Sequence, residues 1–428
     1  MSAAPRTRIA RRRDGKLLVT AERTDGHLSQ RVIIAVGVLT MAYNGILAAL
    51  LSVGFPIGGA IPAIAESTFL LTAITIVMKE GLLRSSMFPL SLSFFVMVTA
   101  LILSIEGESL YLVSTRNFLI VSLFTLLGGT CKLQTLRTMF WWCSIIALSV
   151  LIFEVSFLDS YVNVFQPAEY LASTRGMSQS EYSGGLSAGT ILFEGRFSLG
   201  LYSGPRTSSI FLEQVSINCF AIVIGVYLLT FFPDLSKKEI ALHAFTIFAI
   251  LATNNARMAL ILSVIFLFGY PIFSVMPRYL NLFAVPAIIG GLFTVFIFVP
   301  PGGGDDMLGR MATSYRLLSD MSVRELLLGS FAQTSRSLDS GYAFLIFSTT
   351  IFGLIFYWLY ISFVVPQVGA RSKRCAWGLT IYISVWLLVG GTGTFSMKTA
   401  PLLWLVVGFV RRSSLALIEE SKPTKRDR

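Results

Sequence analysis

The chain reads as an all-α, polytopic bundle of membrane-spanning helices, and three observations carry that reading. Hydrophobic residues make up 54% of its 428 positions and charged residues only 13%. With a mean hydropathy of +0.73, that balance excludes a water-soluble globule. Apolar runs near the roughly 20 residues that a helix needs to cross a bilayer recur along the whole chain. The connections between them alternate between basic and less basic, as the positive-inside bias requires.

In order, the apolar runs predict twelve spans, at about 32–53, 56–78, 87–105, 112–130, 139–157, 209–232, 240–253, 258–276, 280–299, 341–365, 376–394 and 400–410. The fourth, seventh and twelfth are short or weakly apolar, so the count runs from ten to twelve. Residues 1–31 are basic and lack the apolar core of a signal peptide, which makes them a cytoplasmic tail. Residues 411–428 form a second basic tail, leaving 32–410 as the transmembrane domain. Of the 34 basic residues, 24 then fall on the cytoplasmic side and 10 outside, so both termini are expected in the cytoplasm. The net charge of +11 is accounted for by this bias, and no nucleic-acid partner is inferred. Four cysteines lie in spans or at their inner edges, which excludes a disulfide framework in the outer loops.

Two outward loops, at about 158–208 and 300–340, interrupt otherwise tight connections, and loops of that length are usually functional. The first is rich in Ser, Gly and Tyr and ends in EGRFSLGLYSGPRTSS. The second opens on PPGGGDD, and its residues 311–328 place apolar side chains at helical spacing, predicting an amphipathic helix on the membrane surface.

Nine of the ten outward basic residues are arginines: Arg116, Arg175, Arg196, Arg206, Arg257, Arg310, Arg316, Arg324 and Arg336. Lys398 is the exception, whereas the other eight lysines map inside. Guanidinium is permanently charged and grips phosphate bidentately. Arg196 and Arg206 flank the entry to the sixth span, Arg257 sits in the short NNAR turn, and Arg310 and Arg316 lie in the second loop. Brought together, they would form a basic cup for a phosphorylated lipid at the outer surface. The plainer alternative is contact with lipid headgroups or pairing with the loop acids.

The two histidines, His27 and His243, both map to the inner side, so general-base work outside falls to a carboxylate. Asp339, in SLDSGY, is best placed for it, with capping of the tenth span as its ordinary alternative role. Glu213, read as one turn inside the sixth span, is a secondary candidate, as are Arg175, Arg336 and Tyr342; Glu66 and Glu154 are weaker ones. Asp305 and Asp306 read as a polar loop rather than a metal site.

The order and spacing of GPRTSSIFLEQVS, NNARMAL, the Gly309–Arg310 pair, LLGS at 327–330, DSGY at 339–342 and Gly353 resemble the Wzy-type polysaccharide polymerases and the related O-antigen ligases. The resemblance covers about 190–355. It implies an integral glycosyltransferase of the bacterial inner membrane that joins undecaprenyl-diphosphate-linked repeat units at the periplasmic face. Arg206, Arg257 and Arg310, with Arg196 and Arg316, would hold the diphosphate, and Arg206, Arg310 and Asp339 would act in catalysis. No cofactor or metal is implied. Partners would be the lipid-linked donor and acceptor, membrane lipids, a chain-length regulator and export machinery. The family's Arg-x10-Gly pattern is not matched, because Gly329 follows Arg316 two residues too late. The ligase branch's loop histidine is missing, with Asp339 in its neighbourhood, which favours a polymerase of the xanthan-like exopolysaccharide branch. A ligase and a lipid-linked-sugar transporter or flippase are the alternatives.

Overall fold

The computed structural model describes residues 25–81, 86–107, 112–177, 184–190, 198–302 and 307–421. Among them every regular element is a helix. In chain order these are α1 (Asp25–Ser52), α2 (Ala60–Glu80), α3 (Met87–Glu106), α4 (Val113–Gly128), α5 (Leu133–Ser156), α6 (Leu158–Phe165), α7 (Pro167–Arg175), α8 (Gln214–Phe231), α9 (Lys237–Asn254) and α10 (Arg257–Val275). After them come α11 (Ala284–Phe298), α12 (Met307–Ser319), α13 (Val323–Leu328), α14 (Phe331–Thr334), α15 (Gly341–Phe363), α16 (Ala370–Val389) and α17 (Ala400–Glu420).

Among the described residues nine helical segments are long and apolar enough to cross a bilayer: α1, α2, α3, α5, α8, α10, α15, α17, and α11 with the turn Arg278–Phe283 that leads into it. Helices α4, α9 and α16 coincide with the remaining expected spans. They fall short because α4 has only 16 residues and α9 and α16 open on polar turns, KKE and ARSKR. The chain is therefore a helical membrane protein. Its centre is built from α4, α8, α16 and α17. There Gly128 and Gly408 face one another so closely that a Cβ on either would overlap the backbone of the other helix. Small residues permit that approach where lipid supplies no hydrophobic drive for helix association. Helices α2, α10 and α11 lie outermost, exposing Leu71, Met78, Leu267, Phe268, Ile297 and Phe298, as lipid-facing helices do.

Several boundaries differ from expectation for identifiable reasons. Helix α17 runs ten residues past 410, because Arg411 donates to Val364 O at 2.8 Å and lies over the Phe88 ring, which keeps the chain helical through the predicted tail start. The single surface helix expected at 311–328 is two. Ser322 and Glu325 cap one another reciprocally and start α13 afresh. Helix α12 is packed rather than adrift on the surface: Ser314 Oγ donates to Leu388 O at 2.7 Å, and Tyr315 inserts between Phe293 and Phe296. The first long loop contains α6 and α7. Inside α15 the helix breaks at Thr350 (φ 68°, ψ 173°), and Ser330 N–H from the second loop satisfies Phe347 O at 2.9 Å.

Successive long helices alternate in direction, so Arg116, Arg206, Arg257, Arg310 and Arg336 share one end of the bundle. Lys132, Arg137, Lys237 and Lys373 share the other. Because all four native cysteines are buried, single cysteines report cleanly. Arg336→Cys and Lys373→Cys are expected to react with an impermeant maleimide from opposite sides of sealed vesicles. Labelling of both from one side would refute this alternation.

Candidate functional site

Two neighbouring cavities lie at the arginine-rich end. The smaller, about 110 Å³, is walled by Arg206, Arg257 and Arg310 together with Asn218, Asn255, Met258, Met307 and Trp386, and no acid is among its described lining residues. The larger, about 760 Å³, is walled by α1, α2, α4, α7, the start of α8 and the segments 338–339 and 390–397. They share Gln214, Val215 and Gly390.

Arg206 is positioned by the strap that precedes α8. Its guanidinium donates to Asn254 O at 2.7 Å and to Asn254 Oδ1 at 3.2 Å, while its backbone N–H meets Thr190 O at 2.9 Å. Just beyond it the strap turns away, with Ser209 and Leu212 in the left-handed region (φ 49° and 62°). Glu154, buried at the end of α5, holds that turn. Both of its carboxylate oxygens accept from Ser208 N at 3.0 Å, and Oε2 accepts from Ser209 N at 2.6 Å. The sixth long helix consequently starts at Gln214 rather than 209, and Glu213 is its N-cap residue rather than lying one turn within it.

Arg257 is the first residue of α10, entered through Asn255 in the left-handed conformation (φ 54°). Arg310 projects from α12, with Nη1 near Val389 O at 3.4 Å. Three sequence-distant arginines thus meet at one pocket. Arg316 does not join them: it binds the carbonyls of Pro301 and Gly302 at 2.7 and 3.1 Å and lines neither cavity. Arg336 is exposed and lines neither. Tyr342 is core, fully buried with its hydroxyl on Ser384 O at 2.9 Å. Arg196, like Asp305 and Asp306, lies outside the described residues. No group of residues suited to a metal ion occurs among those described.

Asp339 lines the large cavity, exposed and without a hydrogen bond or ion pair to any described residue. It does not cap α15; Ser340 does, accepting from Ala343 N. Thr392 N–H binds Leu338 O at 3.2 Å and so anchors the segment. The cavity wall holds two ionic clusters that sequence reasoning did not assemble. Glu66 accepts from Tyr43 at 2.6 Å and from Arg116 at 3.1 Å. Glu213 is flanked by Arg175 and by the buried Lys398, whose Nζ is 3.1 Å away and also donates to Phe211 O at 2.8 Å. Burial raises the Glu213 carboxyl, but Lys398 and Arg175 outweigh it and hold it below the usual carboxylate range. Burial pushes the Lys398 ammonium down to about 8 despite the attraction of Glu213. Lys398 was visible in the sequence as the one lysine assigned to the arginine-rich side, yet its partner lies nearly 200 positions away, beyond any local signal.

Fold and site together define a helical membrane protein with a basic pocket and an adjoining polar cavity at one end. Compared with models of protein families, with curated proteins and with solved structures, the chain matches none.

Two outcomes follow. Glu154→Ala is expected to destabilise the protein by about 3 kcal/mol, since backbone donors lose a charged acceptor, read as a lowered midpoint on thermal unfolding in detergent. Lys398 has a folded value near 8, below its ordinary 10.5. Above pH 8 the folded chain releases a proton that the unfolded chain retains up to 10.5. The wild type should therefore gain stability relative to Lys398→Met as pH rises from 8 to 10. A difference in melting temperature that stays flat or shrinks over that window would contradict this.

Proposed function

We propose that this protein is a polysaccharide polymerase: an integral glycosyltransferase that joins lipid-diphosphate-linked oligosaccharide units at the outer face of a bacterial inner membrane. In this reading the protein crosses the membrane twelve times, counting α4, α9 and α16, with both termini in the cytoplasm. The observation that carries the proposal is the meeting of Arg206, Arg257 and Arg310 at one pocket that shares a wall with a cavity of about 760 Å³, within the usual size range for small-molecule sites.

The donor's diphosphate occupies the arginine pocket, and its sugar points past Gly390 into the large cavity, where the acceptor saccharide lies. An acceptor hydroxyl oxygen attacks the anomeric carbon. The bond from that carbon to the phosphate oxygen breaks, and its electron pair leaves on the lipid diphosphate. The hydroxyl proton passes to the Asp339 carboxylate and then to water. Charge on the departing diphosphate grows toward the transition state, so fixed guanidinium groups stabilise that state more than the bound substrate. Holding both substrates in neighbouring cavities adds the advantage of proximity.

The test incubates the purified full-length protein with a synthetic lipid-diphosphate oligosaccharide and follows a product ladder. Arg206→Ala, Arg257→Ala or Arg310→Ala should each slow extension about 100-fold, while Arg316→Ala and Arg336→Ala leave it near wild type. Full-rate ladders from all three pocket variants would defeat the proposal, as would transport of the lipid-linked saccharide without extension.

A further inference from the structure

At the end of the bundle opposite the arginine pocket lies a third cavity, of about 70 Å³. It is bounded by the ends of α2 and α4, the start of α3 and the C-terminal half of α17. Two cations, Arg411 and Arg412, stand in its wall, and no acid is among its described lining residues. Much of the remaining wall is apolar, with Val77, Pro89, Leu126 and Leu415.

The fold uses the two arginines differently. Arg411 is a fixture: its Nη1 donates to Val364 O at 2.8 Å, and its guanidinium lies 5.2 Å from the centre of the Phe88 ring. Arg412 is exposed and makes no hydrogen bond or ion pair with a described residue. Its stem starts beside the cavity wall, because a Cβ added to Gly129 would come 3.9 Å from Arg412 Cβ. On the other side Gly81 ends α2 at φ 83°, and a Cβ there would meet nothing within 4 Å, so the wall is open beside it. Met78 and Met87, each next in sequence to a wall residue, are exposed at this end.

We propose that this cavity is a binding site for the phosphodiester of an anionic phospholipid from the leaflet at that end, with Arg412 as the residue that recognises it. Inorganic phosphate shares the anionic chemistry but would leave the apolar wall unmatched. A neutral lipid would cover that wall and leave two guanidinium groups without a counter-charge. An anionic phospholipid matches both, since guanidinium grips phosphate oxygens and basic pockets between membrane helices take such headgroups. A cavity this small holds the headgroup, and the acyl chains lie outside it against the apolar flanks of α2 and α3. The inference is independent of the polymerase reading, because no residue of this wall lines either cavity at the opposite end.

The test titrates the purified full-length protein, in neutral detergent, with dihexanoyl phosphatidylglycerol, dihexanoyl phosphatidylcholine or inorganic phosphate, and follows the melting temperature. A ligand that binds the folded chain raises it. Phosphatidylglycerol should half-saturate the wild type at a concentration about fivefold or more below either other probe. Arg412→Gln should raise that concentration about fivefold, the weight of one basic residue at an anionic surface. Arg412→Lys, which keeps the charge, should recover most of the loss, and Lys237→Gln, an exposed cation at the same end but outside the cavity, should change nothing. The inference is overturned if phosphatidylglycerol does not stabilise the wild type, or if phosphatidylcholine or inorganic phosphate matches it. It is equally overturned if Arg412→Gln binds as the wild type does, which would put the lipid elsewhere, or if Lys237→Gln loses as much, which would make the attraction diffuse.

Discussion

The site depends on one buried carboxylate. Glu154 sits at the end of α5 with three donors on it: two consecutive backbone N–H groups and the Ser208 hydroxyl at 3.2 Å. A carboxylate withdrawn from water is expensive unless its lone pairs are filled, and this one fills them from the strap rather than from a cation. The strap is thereby bent into two left-handed turns before α8 begins. That bend sends Arg206 toward Asn254 and leaves Glu213 in the wall of the large cavity. Lys398 secures the same turn from the far side through Phe211 O, so the peptide between two acids is held at both ends.

Charge is partitioned unevenly between the two spaces. Around the large cavity, cations and acids occur as partners: Arg116 with Glu66, and Arg175 and Lys398 with Glu213. Such pairs line a wall without imposing a strong net field, which suits uncharged ligand groups. The small pocket gathers three guanidinium groups and several amide or indole groups on its described wall, which suits an anion. A ligand with a charged head and a neutral polar body would find each part matched, the head in one space and the body in the other.

Much of the fold was legible because lipid leaves the chain few options. Each apolar run must close its own backbone hydrogen bonds, so span length and position follow from composition alone. The boundaries that moved did so where side chains intervened: Arg411 extending α17, Ser322 and Glu325 splitting the surface helix, Glu154 delaying α8. Each of these is a contact or cap whose effect hydropathy does not register. Within the site, Arg206, Arg257 and Arg310 were singled out because an outward arginine contravenes the positive-inside bias and therefore stands out. Asn218, Asn255 and Trp386 do not stand out. An asparagine in a span or a tryptophan near its end is compatible with ordinary packing, and only the folded chain brings these three into the wall around the arginines. Arg316 shows the converse, since charge and location marked it as readily as Arg310, yet two backbone carbonyls of its own loop engage it.

The wall that the two cavities share includes the turn after α16. Gly390 ends α16 and Gly391 follows with φ 63°. A side chain at Gly391 would collide with the carbonyl of Leu338, and one at Gly390 with the Trp386 indole. The chain is thus stripped of side chains so that the segment 338–339 and the Trp386 ring pack directly against this turn. These glycines therefore mark close packing of the turn against its neighbours. Close packing at this turn fixes the wall that a basic pocket and a polar cavity share, so Asp339 on one side and the arginines on the other are held in a set relation by the same stretch of backbone.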